Sequence, residues 1–277
     1  MIHDLKTLVT VELFKSLRAR LGRIALFSAF IGGALPIILI GIIGNREAST
    51  FPGVVPQVLL PSLTVLTGLI SVLLSLSSWG DEYEYGTLRL LLSRSPKRWH
   101  FLLAKTAAQA LVLLAIIVIA LSAELLVGVL SHLIQADPGK LGEQLQSLAQ
   151  VLPPIIGVWW LAGMVYSGAV TLAITGGQSP TLGMIGGLGF YLGDLLLSNL
   201  GLGFSGWIGK VSIINSAFSL IASVLGGLYR QSGGALFSGM SEMAPAGPGQ
   251  VLSRLILYSA GALLLAILIF RQRDIHP

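Results

Sequence analysis

Two acids stand inside long apolar runs: Glu124 within residues 101–130 and Asp194 within 181–200. An ionisable group inside a lipid-embedded helix is expensive and is by default a functional candidate. The chemistry open to a lone carboxyl there is hydrogen bonding or protonation within a bundle, or lining a substrate path. Asp194 could bond Ser198 one turn on, and Trp159, Trp160, Tyr166 and Tyr191 are aromatics that pack or line the same path. Neither acid is accompanied by a nucleophile, a metal cluster or a second acid, which argues against an intramembrane enzyme.

Patterns borrowed from soluble enzymes fail on inspection. Gly201-Leu202-Gly203-Phe204-Ser205-Gly206 matches the dinucleotide fingerprint by letter. No strand precedes it, and Ile221 sits where the ribose-binding acid should be. Gly209-Lys210-Val211-Ser212 resembles a phosphate loop, but Phe204 takes the first glycine's place and Val211 the hydroxyl's. Four scattered histidines form no metal site, and the chain has no cysteine. The sequence therefore predicts no catalytic residue, no metal, no cofactor in this chain and no nucleotide hydrolysis of its own.

The elements that must position these residues are set by composition. Of 277 residues, 54% are hydrophobic and 10% charged, against about 25% charged in a soluble domain. The mean hydropathy is +0.84. Lipid is the solvent that such a chain needs, so the expected fold is an all-α polytopic membrane protein. Residues 1–22 read as an amphipathic helix, with Leu5, Leu8, Leu13 and Leu17 on one face and Lys6, Lys15, Arg18 and Arg20 largely off it. It suits the inner headgroup layer, as an anchor or a partner contact. Six spans follow, at about residues 24–44, 55–79, 101–130, 153–175, 181–200 and 251–270. A short interfacial helix is expected after Asp137-Pro138-Gly139, and a tight turn at 176–180. Residues 204–227 carry an apolar stripe and a serine stripe, and read as an interfacial or re-entrant element within an outer loop, 201–250.

Charge supports six spans. With the N-terminus inside, only Arg46, Lys140, Lys210, Arg230 and Arg254 lie outside, leaving 12 of the 17 Lys and Arg residues on the cytoplasmic face. The net charge of +5 thus reflects membrane orientation and not nucleic-acid binding. Gly183, Gly187, Gly189 and Gly193 form small-xxx-small pairs that let helix backbones approach, within one subunit or between two.

The densest charge lies between the second and third spans. Asp81 to Leu92 can form a short amphipathic helix, acids leading and Arg94, Lys97 and Arg98 following, in keeping with the helix dipole. Glu82-Tyr83-Glu84-Tyr85-Gly86-Thr87-Leu88-Arg89, then three leucines, Pro96-Lys97-Arg98 and Ala104-Lys105, resembles the signature of type-2 ABC transporter permeases. In that family the pattern is roughly E-x-x-x-G-T-L-[RK], between spans two and three.

The resemblance implies a permease subunit of an ATP-binding cassette transporter in the cytoplasmic membrane, with export as the expected direction. Residues 80–98 would be the coupling helix docking on a separate ATPase subunit, which holds the ATP and Mg. Glu82 or Glu84 would be the coupling acid. Gly86 and Thr87 would set a turn, and Arg89 would contact the ATPase or lipid phosphate. A second permease subunit, identical or different, would complete the dimer. The alternative is a membrane scaffold or assembly subunit without a transport path.

Overall fold

The computed structural model describes residues 2–18, 23–31, 60–84, 98–135, 141–201, 211–229 and 248–272. Among them there is no strand. The helices are α1 (Ile2–Arg18), α2 (23–31), α3 (Leu60–Glu84), α4 (Arg98–Gln135), α5 (Leu141–Gly177), α6 (Pro180–Gly201), α7 (Ile213–Tyr229) and α8 (Pro248–Gln272). Four hold stretches long and apolar enough to cross a membrane: Trp99–Val127 in α4, Leu152–Gly177 in α5, Pro180–Ser198 in α6 and Pro248–Gln272 in α8. The apolar stretch of α3, Leu66–Gly80, is shorter. The expected span at 24–44 is helical over its described part, 23–31.

Helix α5 is the hub and packs against α3, α4, α6, α7 and α8. Its buried face includes Trp159, Tyr166, Val170 and Ile174. The outer sides of α6 and α8 expose Ile185, Leu196, Leu257 and Leu264, which suits a surface that meets lipid rather than water. Within α6, a Cβ on Gly183 would run into the Ile174 side chain, and one on Gly187 into Val170. These two glycines let α6 lie close on α5. A Cβ on Gly189 or Gly193 would meet nothing within 4 Å.

The turn at 176–180 forms as expected. Gln178 adopts φ 52° and donates its backbone N–H to the Ile174 carbonyl at 2.8 Å. Pro180 then opens α6, where a missing N–H loses no helical bond.

In two places the structure departs from the sequence reading, and in a third, α7, it adds packing that the reading did not specify. Helix α3 does not stop at Trp79 but continues through Gly80 and Asp81 to Glu84, so the expected coupling helix begins inside the last turns of the second span. Glu82 is buried in this helix and therefore needs a cation from elsewhere. Helix α5 runs unbroken through Pro153 and Pro154, joining the expected interfacial helix to the fourth span. The prolines deprive the carbonyls of Ala149 and Gln150 of their helical donors. Ala149, Pro153 and Pro154 are all exposed, so the Ala149 carbonyl lies where polar solvent can serve it. Helix α7 packs against α3, α5, α6 and α8, with Ser212 and Ser216 of its expected polar stripe buried. The stripe tolerates burial because its hydroxyls turn back on their own helix. Ser216 Oγ donates to the Ser212 carbonyl at 2.7 Å and Ser219 Oγ to that of Ser216 at 3.0 Å.

Candidate functional site

The C-terminus of α3, the N-terminus of α4 and the C-terminus of α8 meet at one end of the bundle, here called the basal end. Trp79 is their shared contact: its ring lies 6.1 Å from Phe101 and 6.2 Å from Phe270, both edge-on. Helix α1 lies across this end and packs on α4 and α3. One turn past Phe101, Lys105 points into the junction and is 1% exposed. Its Nζ donates to Glu12 Oε2 of α1 at 3.0 Å and pairs with Glu82 Oε1 of α3 at 3.0 Å. It also lies over the rings of Trp79 and Phe101, at 5.1 and 5.2 Å from their centroids. Lys15, four-tenths or more open to solvent, closes the circuit from outside at 3.0 Å from Glu12 and 3.4 Å from Glu82.

Two acids thus face two cations, and the acids divide them unequally. Burial pushes both carboxyls up. At Glu12 the Lys105 and Lys15 charges and hydrogen bonds outweigh burial and hold the group below the usual carboxylate range. At Glu82, beyond the apolar stretch of α3, burial together with the Glu12 charge outweighs the lysines, and the carboxyl titrates above that range. Burial lowers Lys15, but its bonds to Glu12 and the attraction of both acids leave it raised. Glu82 bonds through Oε1, and its Oε2 has no partner.

One turn deeper, Ser75 of α3 donates to Ser167 of α5 at 2.8 Å, and Ser167 donates to Gln109 Oε1 of α4 at 2.9 Å. This chain of polar side chains ties three helices together above the ion cluster.

Toward the opposite, distal end, Asp194 of α6 is buried and faces two helices at once. Its Oδ1 accepts the backbone N–H of Ile213 at 2.8 Å and its Oδ2 that of Ile214 at 3.1 Å. The Tyr166 hydroxyl of α5 donates to Oδ2. The first amides of a helix lack internal partners, and a carboxylate at that positive end is well placed. Asp194 therefore caps α7 from a neighbouring helix, while Ser212 Oγ accepts the Asn215 N–H locally at 3.2 Å. The pairing with Ser198 one turn on does not form: Ser198 Oγ donates to the Leu195 carbonyl at 2.9 Å. Glu124 of α4 differs again. It is 2% exposed, and among the described residues neither oxygen has a hydrogen-bond partner.

Of the expected coupling residues, Glu82 points into the junction rather than outward. Glu84 is the last residue of α3; its side chain, and Gly86, Thr87 and Arg89, lie outside the described residues. Glu124 and Asp194 are not brought together. The residues missed from the sequence are Glu12, Gln109, Ser75 and Ser167, and Lys105 as a partner of Glu82. A cation in an apolar run was the available signal for Lys105, on the same ground that singled out Glu124 and Asp194. No group of three or more His, Cys, Asp or Glu residues suited to a metal occurs among the described residues.

No curated protein matches the chain. Residues 23–276 match a family model described as a protein of unknown function, DUF2705. Because the match runs from the first residue of α2 to the penultimate residue of the chain, this protein belongs to the DUF2705 family.

Proposed function

We propose that the chain is the membrane-spanning permease subunit of an ATP-binding cassette transporter in the cytoplasmic membrane, working as an exporter and as one half of a dimer. In this reading the chain makes six spans with both termini in the cytoplasm, and the basal end is the cytoplasmic face. A separate ATPase subunit carries ATP and Mg and grips the segment after Glu84.

The observation that carries the reading is the ion cluster. Glu82 and Lys105 flank residues 85–97 on either side and pair with each other, and α1 holds Glu82 through Lys15 and Lys105 through Glu12. A lever that passes force into a membrane must have both of its roots fixed to the helices it moves. The cluster, backed by Trp79 and Phe101, fixes the ends of α3 and α4 to each other and to α1. Because Glu82 is used inside the junction, Glu84 is the coupling acid of the proposal.

The test is purification of the chain with an ABC-type ATPase encoded beside it, followed by reconstitution in vesicles. A stable complex is expected, with ATP hydrolysis accompanied by solute movement. Glu84→Ala and Gly86→Pro should uncouple hydrolysis from transport while leaving the chain folded. No complex, or unchanged coupling in both variants, sinks the proposal. ATP hydrolysis without movement of any solute favours a scaffold.

A further inference from the structure

We propose that the outward face of α1 is a binding site for anionic phospholipid headgroups, built from Lys6, Phe14 and Arg18. The structure turns α1 differently from what its leucines suggested. Leu5, Leu8 and Leu13 are partly buried, and Leu13 packs on the core. Val11, Phe14 and Leu17 are exposed and follow one another at spacings of three. Phe14, 53% exposed, lies about 160° around the helix from Glu12, which binds Lys105 inside the junction. Lys6 and Lys15 flank Phe14, about 80° to one side and about 100° to the other. Arg18 lies one turn on, with its guanidinium carbon 4.1 Å from the centre of the Phe14 ring. Among residues 5–18 the acid is Glu12, and it is buried, so the outward face presents cations without a counter-charge.

An apolar stripe between cations is a surface that a headgroup layer satisfies on both counts. The ring and the aliphatic stems enter the acyl boundary, and the charged ends reach phosphate. Depth selects this occupant over a water-soluble protein. Headgroup level at the basal end is marked by exposed Trp99 at the entry of α4, Arg23 at the entry of α2 and Arg271 at the end of α8. Lys105 Nζ, which Glu12 binds, lies 5.2 Å from the centre of the Phe101 ring. Phe101 is two residues past Trp99, about 3 Å along the axis, so α1 is fixed within that layer. Helix α2 starts five residues after Arg18, at most about 18 Å away, and exposes Ile24, Phe27 and Phe30 as a lipid-facing side. A guanidinium stacked on a ring keeps its N–H edges available, and these can pair a phosphate through two bonds at once. A zwitterionic headgroup brings its own cation beside the phosphate, so the net attraction goes to anionic lipid.

The site does not depend on the transport reading, and its test uses the full chain without an ATPase. In phosphatidylcholine bilayers holding the chain, trace spin-labelled phosphatidylglycerol should be immobilised at the protein in preference to spin-labelled phosphatidylcholine. Lys6→Gln and Arg18→Gln should each lower that preference, by about fivefold at most, the scale of one surface cation on an anionic leaflet. Arg271→Gln, at the basal end of α8, should lower it less. The chain lacks cysteine, and Thr10 is exposed one turn before Phe14. A spin label on Thr10→Cys should be relaxed more by oxygen dissolved in lipid than by a water-soluble nickel chelate, and Phe14→Gln should reverse that order. No preference for phosphatidylglycerol overturns the site, and so does an equal loss with Arg271→Gln, which means a general basic surface. A Thr10→Cys label that reports water overturns it too, and shielding of that label by an ATPase subunit gives the face to a protein partner. If the lipid preference responds as expected while no ATPase binds the chain, the headgroup site stands and the transport reading falls.

Discussion

The basal and distal ends bury acids by opposite means. At the basal end, Glu12 and Glu82 are met by Lys105 and Lys15, charge against charge, with aromatic rings behind the buried lysine. At the distal end, Asp194 is met by two backbone amides and a phenol. A buried cation can serve two acids and join three helices, but its removal leaves both with the half-exposed Lys15 alone. At the distal end a helix N-terminus serves one acid, and the Tyr166 hydroxyl lets that acid also join three helices. The first arrangement holds helix ends together through charge, and the second through hydrogen bonds to backbone amides and a phenol. Glu124, with neither kind of partner, shows that burial alone does not organise a site.

The sharpest way to break this contrast is Lys105→Met. It leaves Glu12 and Glu82 close together with only the half-exposed Lys15 to pair them and should cost about 3–5 kcal/mol, the usual penalty for removing one partner of a buried pair. Chemical unfolding of the purified chain in bicelles would read it. Adding Glu12→Gln and Glu82→Gln should restore much of the loss, because the stranded charges are then gone. If Lys105→Met is no worse than a surface substitution, the basal cluster is not a root.

At the distal end, Tyr166→Phe should cost less, about 1–2 kcal/mol, because Asp194 keeps both backbone amides and interhelical hydrogen bonds within membranes are modest. The same unfolding assay would rank the two ends. A loss at Tyr166 that equals the loss at Lys105 would erase the distinction between the two ends.

Glu124→Leu should move the other way. Its carboxyl makes no hydrogen bond, so removing it should be neutral or stabilise the fold by about 1 kcal/mol. If transport in vesicles falls while stability holds or rises, Glu124 works for function at the expense of stability. If stability falls by the amount seen for Tyr166→Phe, the acid has a structural partner.

Much of this was legible in the sequence, and the gaps have physical causes. Apolar run length predicted α4, α6 and α8 closely, because lipid imposes length and composition directly. The ends of α3 and α5 were not legible. A glycine followed by acids, or a proline pair, reads as a stop only when no distant group offsets it, and Lys105 lies 23 residues from Glu82. The glycines of α6 were legible as a group but not by role. Gly189 lies two residues past Gly187, about 200° around the helix, and so leaves the α5 face. The cap on α7 left no local signature, since Asp194 and Ile213 are 19 residues apart and no capping motif joins them. Glu12 was hidden by its basic surroundings in α1, where an isolated acid looks like charge balance.

The smallest expected effect is on pH dependence, and it separates the two basal acids. Glu12 titrates below the ordinary carboxylate range, so its stabilisation is present above that range and is lost as pH falls through its lowered value. Glu82 titrates above the range, so the folded state binds a proton there before the unfolded chain does. Between the ordinary value and the raised one, falling pH therefore stabilises the fold through Glu82. Lys15 has a raised value and contributes fully below the ordinary lysine range, so it does not vary in this window. Unfolding of the wild-type chain from neutral pH downward should show a small gain in mild acid, then a loss as Glu12 protonates. In Glu82→Gln the gain should vanish and the acid loss remain; in Glu12→Gln the Glu82 carboxyl, freed of its negative neighbour and given a larger share of Lys105, should titrate lower and the gain should shrink. A gain that survives Glu82→Gln places the responsible proton elsewhere and means that the two acids share Lys105 evenly.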